Sequence, residues 1–398
     1  LGIGDQGAGG MAIRVGKLAL YVAGAGINPA ATLPISLDVG TNHEALLEDD
    51  LYLGWPERRL TGQAYDDFIG EFVDAVRRVF PNALLQWEDF RKDNALEILE
   101  HHRDDILSFN DDIQGTGAVA LAGLYSALRI SGGELSEQRI VIHGAGAAGL
   151  GIARQIKAAL AETGMTPADI HRCLAVLDSR GLLVDDQPFS DAYKAELAWE
   201  ADLAHRYNLT DPIHRQLEDV VANYKPTVLI GTSGQAGAFT ENMAKTMMGA
   251  TERPIILPFS NPTDCAEATP RDLLHWTDGK ALVATGSPFE PVNYAGRMFK
   301  IGQGNNVFIF PGLGLGALLA NSSVVTDDMV SAGSQAVAGA MTEQELEDGM
   351  LFPEISRLRE VTKQVAHAVA CKAIDDGFAN ATRDYVEQAL ENDLWQPD

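Results

Sequence analysis

Hydrophobic and polar positions alternate in a way that predicts helices and strands in regular succession. Apolar side chains in residues 63–79 recur at helical spacing, which predicts an amphipathic helix. The same spacing predicts helices over residues 11–25, 93–102, 115–131 and about 150–163. Short apolar runs ending in turn-forming residues predict strands over residues 33–39, 82–87, 106–109, 139–143, 172–177, 226–230, 254–259 and 281–284. Strand, loop and helix in repeated order indicate parallel sheets covered by helices.

The order of these elements predicts an α/β protein with two domains. Residues 112–305 are expected to form a Rossmann-type, doubly wound parallel sheet. Residues 1–111 together with 306–398 are expected to form a second α/β domain with its own parallel sheet. The tail of that domain, from about residue 326, is predicted to be helical, and Thr342-x-x-Glu345 is a capping box within it.

Residues 301–326 contain no charged side chain and therefore require a choice between a membrane span and a buried element. The purely apolar part, residues 307–320, is short for a membrane-spanning helix and contains Pro311 and several glycines. We predict a buried strand that runs into a buried helix.

Composition excludes several classes of partner. The chain has 398 residues, of which 46% are hydrophobic and 22% are charged, as in ordinary globular proteins. Its net charge of −26 would repel nucleic acid and anionic membrane surfaces, so neither is expected as a partner. The three cysteines are widely spaced and form no CxxC pair, which indicates a reducing, cytoplasmic compartment and excludes a disulfide framework.

A glycine-rich loop predicts a dinucleotide site. The GxGxxG pattern over residues 144–149 follows a hydrophobic strand and precedes a helix, the context that phosphate binding at a helix N-terminus requires. Its residues are Gly144, Ala145, Gly146, Ala147, Ala148 and Gly149. A second match, over residues 2–7, has no visible preceding strand, and we interpret it as a packed loop.

Asp178 closes the strand after that loop and is placed to accept hydrogen bonds from ribose hydroxyls. This carboxylate favours NAD because it would repel a 2′-phosphate. Ser179, Arg180 and Lys194 could instead hold the 2′-phosphate of NADP, unless the two basic side chains are merely solvated. Both cofactors therefore stay open at this point.

Two carboxylate pairs each follow a predicted strand. They are Glu88-Asp89 and Asp111-Asp112. Because the strands of one parallel sheet end at the same edge, the pairs can converge, and their oxygens suit Mg²⁺ or Mn²⁺. The alternative is two solvated acidic turns.

Lys17 lies within the otherwise apolar helix that is predicted over residues 11–25. A desolvated lysine has a lowered pKa and can serve as a base. The alternative is a side chain that extends along the apolar surface and keeps its ammonium in water.

Taken together, these features resemble the malic enzyme family, in the long form of animals, plants and bacteria. The resemblance runs along nearly the whole chain and rests on nine segments in order: LGIGDQGAGGMAIRVGKLALY, LDVGTNHEALL, GQAYDDFIGEFV, LLQWEDF, FNDDIQGTG, HGAGAAGLGIA, LPFSNPT, TGSPF and GQGNNVFIFPGLGLG. It implies oxidative decarboxylation of L-malate to pyruvate and CO₂, with NAD or NADP as hydride acceptor.

The resemblance also implies residue roles. Lys17 would be the general base and contact the substrate, with Asp111 beside it to tune its basicity. The metal ligands would be Glu88, Asp89 and Asp112. The substrate would be held by Lys17, Asn261, Asn305 and Asn306, and the cofactor by the loop over residues 144–149 with Asp178, Ser179 and Asn261.

Some features of the family are expected to be missing. The family's enolate-protonating tyrosine and a malate-binding arginine lie upstream of the LGIGD segment, with which this sequence opens. We therefore expect the family's N-terminal domain, which helps to build its dimer, to be absent. Two alternatives to the malic enzyme activity follow: a catalytically impaired nucleotide-binding module, or a 2-hydroxy acid dehydrogenase that does not decarboxylate. We nevertheless expect a homo-oligomer, either a dimer or a tetramer.

Overall fold

Helices and strands alternate along the polypeptide, as the hydrophobic pattern predicts. The computed structural model describes residues 4–189 and 191–396. Its α-helices are α1 (Met11–Leu20), α2 (Glu44–Leu47), α3 (Gln63–Val79), α4 (Lys92–His102), α5 (Thr116–Ser131), α6 (Ala147–Glu162), α7 (Pro167–Cys173), α8 (Ala192–Ala195), α9 (Ala201–Arg206), α10 (Leu217–Tyr224), α11 (Glu241–Met248), α12 (Pro270–Trp276), α13 (Phe310–Leu319), α14 (Asp327–Gly339), α15 (Glu343–Glu347), α16 (Leu358–Asp375) and α17 (Arg383–Asn392).

The strands are short, and most of them are buried. They are β1 (Leu85–Trp87), β2 (Ser108–Asn110), β3 (Ile140–His143), β4 (Leu174–Asp178), β5 (Gly181–Leu182), β6 (Val228–Gly231), β7 (Ile255–Pro258), β8 (Leu282–Thr285), β9 (Val292–Tyr294), β10 (Arg297–Phe299) and β11 (Gly302–Gln303). These elements group into two compact units.

The first unit contains the chain up to Asp111, Phe310–Met329 and the residues from Thr362 onward. Strands β1 and β2 pair in parallel, with Trp87 opposite Asn110. The amphipathic helix α3 buries one face, including Ile69 and Val73, in a core that also contains Trp87. The two strands consequently end side by side, immediately before the two carboxylate pairs.

The second unit contains Asp112–Ile309 and Val330–Val361. Its seven-stranded sheet has the order β11-β8-β7-β6-β3-β4-β5, parallel throughout except for the antiparallel β5. From β3 the chain first builds the sheet in one direction through β4, and then in the other through β6, β7 and β8. Ligands of doubly wound sheets bind beside such a reversal, at the carboxyl ends of the strands. The predicted α/β fold class, with a Rossmann-type sheet and a second parallel sheet, is confirmed.

Residues 330–361 belong to the second unit, whereas the sequence pattern grouped them with residues 1–111. Two contacts show why. Gln155 of α6 donates to Ser331 Oγ over 2.8 Å, and Arg129 of α5 donates to the Ala338 carbonyl. Both contacts join residues far apart in the chain, which local periodicity does not report.

The predicted strand over residues 33–39 is wrong. This segment pairs with no strand among the described residues, and Leu33 and Ile35 are 57% and 36% exposed. Apolar residues there line a cavity of the first unit rather than a sheet.

The apolar segment near residue 310 forms the buried helix α13. Within the described residues, no helix has the length and apolarity that crossing a membrane requires.

Candidate functional site

Lys17 meets two buried carboxylates in the first unit. Its ammonium contacts Asp111 Oδ2 and lies 3.3 Å from Glu88 Oε1. Asp111 is fully buried, and the Lys17 side chain is only 21% exposed. Both acids directly follow the paired ends of β1 and β2. The side chain therefore turns inward to the acids, and the interpretation of a lysine that reaches out to water is wrong.

A hydrogen-bond chain extends from Tyr21, the residue directly after α1, to Glu88. Tyr21, one turn after Lys17, donates to Gln86 Oε1 over 2.6 Å, and Gln86 Nε2 donates to Glu88 Oε2 over 3.0 Å. Burial raises the pKa of Tyr21 well above its usual value, and the charges of Asp111 and Glu88 raise it further. Tyr21 is therefore a neutral donor that helps to orient Glu88. Sequence reasoning missed both Tyr21 and Gln86, although Tyr21 stands at the i+4 position from Lys17.

The predicted metal ligands do not form a closed metal-binding cluster. Asp89 has a left-handed backbone, with φ of 63°, and its carboxylate lies 3.5 Å from Arg14. Among residues 4–189 and 191–396, no three His, Cys, Asp or Glu side chains are gathered around a position for a metal ion. The donor chemistry still suits Mg²⁺ or Mn²⁺, because the strand ends supply only carboxylate oxygens. Asp112, the third predicted ligand, follows Asp111 directly and begins the second unit.

The Lys17 cluster opens into a cavity of about 1380 Å³ within the first unit. Its polar lining includes Arg14, Lys17, Glu88 and Asp89, and its apolar lining includes Leu33. A small dicarboxylic acid would fit easily into this volume.

Of the first glycine-rich match, the structure describes residues 4–7, which form a loop and the start of a 3-10 helix before α1. Residues 2 and 3 lie outside the described residues. Asp5 in this loop accepts two hydrogen bonds of 2.9 Å from Arg59, and it also accepts from the backbone N–H of Gly7 and Asn42. The hydrogen bond from Arg59 is the main reason why the pKa of Asp5 lies far below its usual value. The pair anchors the segment that leads into α1, and sequence reasoning missed it.

The second glycine-rich match forms the turn between β3 and α6 in the second unit. Gly144 has φ of 125°, and a Cβ at Gly149 would overlap the Gly144 carbonyl oxygen. Thr232, the residue after β6, donates to this carbonyl over 3.1 Å. No side chain in the described parts of the chain caps α6, so its first N–H groups can bind an anion. Thr232 was missed because it lies far along the sequence.

Asp178 ends β4 in a basic environment. Its Oδ1 accepts from the Arg180 backbone N–H over 2.8 Å, and its Oδ2 accepts from Lys194 Nζ over 2.7 Å. Burial would raise the pKa of Asp178, but the hydrogen bonds from Lys194 and Arg180 outweigh it and the pKa is lowered. The Lys194 side chain is 21% exposed and Arg180 is 55% exposed. Lys194 is therefore paired with Asp178 and is not merely solvated. Ser179 lies on the exposed turn that directly follows Asp178.

The three predicted asparagines lie in the second unit, on loops that follow β7 and β11. Asn261 Oδ1 accepts a hydrogen bond from Ser287 Oγ over 2.5 Å. The amide nitrogen of this exposed side chain therefore points away from Ser287. Asn305 accepts from the Val307 backbone N–H, and Asn306 donates to Thr116 Oγ1 over 3.2 Å.

Comparison with known proteins finds matches along most of the chain. The family model for the malic enzyme N-terminal domain matches residues 1–103, and the model for the malic enzyme NAD binding domain matches residues 113–374. The expectation that the N-terminal domain is absent is therefore wrong. Its basis was the position of two upstream residues, whereas the domain model matches the region that contains α1 to α4.

Individual relatives agree with the family models. The NAD-dependent malic enzyme of Acinetobacter baylyi is 45% identical over all of this chain and 70% of its own length. That of Sodalis glossinidius is 47% identical with the same coverage. The crystal structure of Entamoeba histolytica malic enzyme is similar with a TM-score of 0.70 and 26% identity, over 97% of this chain and 70% of that chain.

Proposed function

Because the chain belongs to the malic enzyme family, we propose that it catalyses the oxidative decarboxylation of L-malate to pyruvate and CO₂ with NAD as hydride acceptor. The observation that carries this proposal is the contact of the Lys17 amine with Asp111 and Glu88 at the ends of two parallel strands. The Lys17 amine, held by two carboxylates beside a large cavity, can remove the proton of a substrate hydroxyl.

In this mechanism, Lys17 in its neutral amine form accepts the proton of the malate C2 hydroxyl, and the NAD that the second unit would hold would supply the acceptor for the C2 hydride. Asp111 and Glu88 stabilise the ammonium that forms, which favours the transfer. The resulting 2-keto acid carries a carboxylate β to the ketone, so breaking the C3–carboxylate bond releases CO₂ and leaves an enolate. An acid then protonates C3 of the enolate and gives pyruvate. Mg²⁺ or Mn²⁺ held by Glu88, Asp89 and Asp112 would supply Lewis-acid stabilisation of the developing oxyanion.

We assign cofactor binding to the second unit. The turn over residues 144–149 would hold the pyrophosphate at the N-terminus of α6, and Asp178 with Ser179 would hold the adenosine ribose. Asn261, Asn305 and Asn306 would donate to substrate or nicotinamide oxygens. NAD is favoured over NADP because Lys194, the basic group nearest to Asp178, already donates to the Asp178 carboxylate and is not available to a 2′-phosphate.

Freeing Lys194 is expected to shift the cofactor preference. Asp178→Asn removes the charge that repels a 2′-phosphate, so the ratio of kcat/KM for NADP to that for NAD should rise by about 10- to 100-fold. The double variant with Lys194→Ala should lose most of this gain. The control is Lys157→Ala, a half-buried lysine of α6 whose ammonium donates to the Glu196 carbonyl over 3.3 Å, and it should leave the ratio unchanged. An unchanged ratio in Asp178→Asn would contradict the assignment.

The proposed function is tested by NADH formation from L-malate with Mn²⁺, on this chain and on Asp112→Ala. We expect metal-dependent turnover that falls by at least about 100-fold in the variant, as for the loss of a group that holds the metal. Absence of turnover in a folded, NAD-binding chain would refute it and favour the impaired binding module.

We further propose that the protein acts in the cytoplasm as a homo-oligomer, a dimer or a tetramer. The thiols of Cys173, Cys265 and Cys371 are free, as a reducing compartment favours. Analytical ultracentrifugation of the purified chain measures the oligomeric state, and a monomer at micromolar concentration would contradict this part.

A further inference from the structure

Glu267 is a fully buried carboxylate to which the mechanism above assigns no role. Within the described residues it forms no ion pair with lysine or arginine. Instead it accepts hydrogen bonds from the backbone N–H and Oγ of Ser233, over 2.8 and 2.9 Å. It also accepts from the Oγ and backbone N–H of Ser260, over 2.5 and 3.4 Å. Burying a carboxylate is costly, and these four donors offset that cost.

The two serines occupy equivalent places in the fold. Ser233 stands two residues after the end of β6 and Ser260 two residues after the end of β7, and these strand ends are paired as Gly231 and Pro258. Ser260 Oγ also accepts from the Gly234 backbone N–H over 2.8 Å. A single carboxylate thereby holds two loops together at the carboxyl edge of the sheet, where ligands of this fold bind.

Each loop carries a residue of the proposed site next to its serine. Thr232, before Ser233, supports the Gly144 carbonyl of the dinucleotide turn. Asn261, after Ser260, has its amide oxygen engaged by Ser287, and its amide nitrogen lies beside Gly286. A Cβ at Gly231 would overlap the Glu267 carboxyl group, which shows how closely the carboxylate packs under the strand end.

We propose that Glu267 is a positioning residue that fixes Asn261 for the nicotinamide and substrate half of the site. This inference rests on the proposed function. Asp178, which would hold the adenosine ribose, lies on β4 and not on the loop that carries Asn261. Glu267 therefore acts on the reacting end of the ligands rather than on overall cofactor binding.

The test compares Glu267→Gln, Ser260→Ala and the double variant in kcat/KM for malate and in the dissociation constant of ADP-ribose, which lacks nicotinamide. In Glu267→Gln an amide N–H₂ faces serine donors, so the loops shift. Because a displacement of about 1 Å is enough for such losses, kcat/KM should fall by about 10- to 100-fold. ADP-ribose affinity should stay within about twofold, and the double variant should lose little more than Glu267→Gln, as for residues that act as a unit.

Glu345→Gln is the matched control. Glu345 is also buried, accepts hydrogen bonds from Thr342 and pairs with Arg357, but it caps α15. This variant should lower the melting temperature and leave kcat/KM unchanged. If Glu267→Gln behaves like this control, or weakens ADP-ribose as much as malate turnover, the positioning role is refuted.

An inactive wild-type chain and a Glu267→Gln variant that does not fold each require a different measurement. If the wild-type chain does not turn over malate, the proposed function fails, and the positioning role is then read from binding. Glu267→Gln should weaken NADH by about 10-fold and leave ADP-ribose unchanged, whereas equal effects refute it. If Glu267→Gln does not fold, Ser233→Ala and Ser260→Ala carry the same comparison, and unchanged NADH affinity in both refutes the role.

Discussion

Replacing Lys17 by methionine is expected to lower kcat for malate oxidation by about 10²- to 10⁴-fold, the usual contribution of a general base. Methionine fills a similar volume beside Phe310, whose ring centroid lies 4.7 Å from the Lys17 nitrogen, but it cannot accept a proton. NAD affinity should stay within about twofold, because the proposed cofactor residues belong to the second unit. Steady-state kinetics and NADH binding measure the two effects.

The variant also leaves Asp111 buried without its ammonium partner, which on its own destabilises the fold. Thermal unfolding therefore has to be measured alongside kinetics. Lys92→Met is the matched control, because that side chain is 24% exposed and pairs with Asp93 on α4. A kcat for Lys17→Met within threefold of the Lys92→Met control, with both variants folded, would exclude Lys17 as the base.

Adding a single methyl group at Gly149 is expected to weaken NAD binding severely. In Gly149→Ala the new Cβ overlaps the Gly144 carbonyl and lies 3.0 Å from Thr232 Oγ1, so the turn cannot keep its shape. We expect a loss in NAD affinity of about 100-fold or more and a loss in stability of about 1–3 kcal/mol from overpacking. Isothermal titration calorimetry and urea unfolding measure these quantities.

Gly339→Ala serves as the control for this substitution. Gly339 ends α14 in the same unit, and among the described residues no atom beyond its own helix backbone and chain neighbours lies within 4 Å of the Cβ that the change would add. Its NAD affinity and stability should be close to those of the wild type. Retained NAD affinity in Gly149→Ala would show that the turn does not cradle the pyrophosphate.

Local patterns predicted the parts of the fold that depend on neighbouring residues. Helix α3 spans Gln63–Val79 as its apolar spacing indicates, and the capping box at Thr342 forms with Glu345. The glycine turn after β3 was predictable for the same reason, since strand, turn and helix follow one another directly. The segment over residues 33–39 failed because an extended apolar run becomes a strand only if a partner strand lies beside it.

Contacts between distant residues account for what the sequence could not reveal in the site. The hydrogen bond between Tyr21 and Gln86, the support of Gly144 by Thr232 and the hub at Glu267 each join separate segments. The carboxylate pairs were predictable as features of strand ends. The orientations of these carboxylate side chains were not predictable, because contacts with Lys17 and Arg14 of α1 determine them.

In the proposed reaction, hydride transfer and loss of CO₂ occur on the same substrate molecule, and the ratio of CO₂ to NADH measures this coupling directly. With ¹³C-labelled L-malate, Mn²⁺ and NAD, we expect one CO₂ and one pyruvate for every NADH throughout the reaction. NADH formation with oxaloacetate as the product and no matching CO₂ would contradict the proposed function and identify a dehydrogenase that does not decarboxylate.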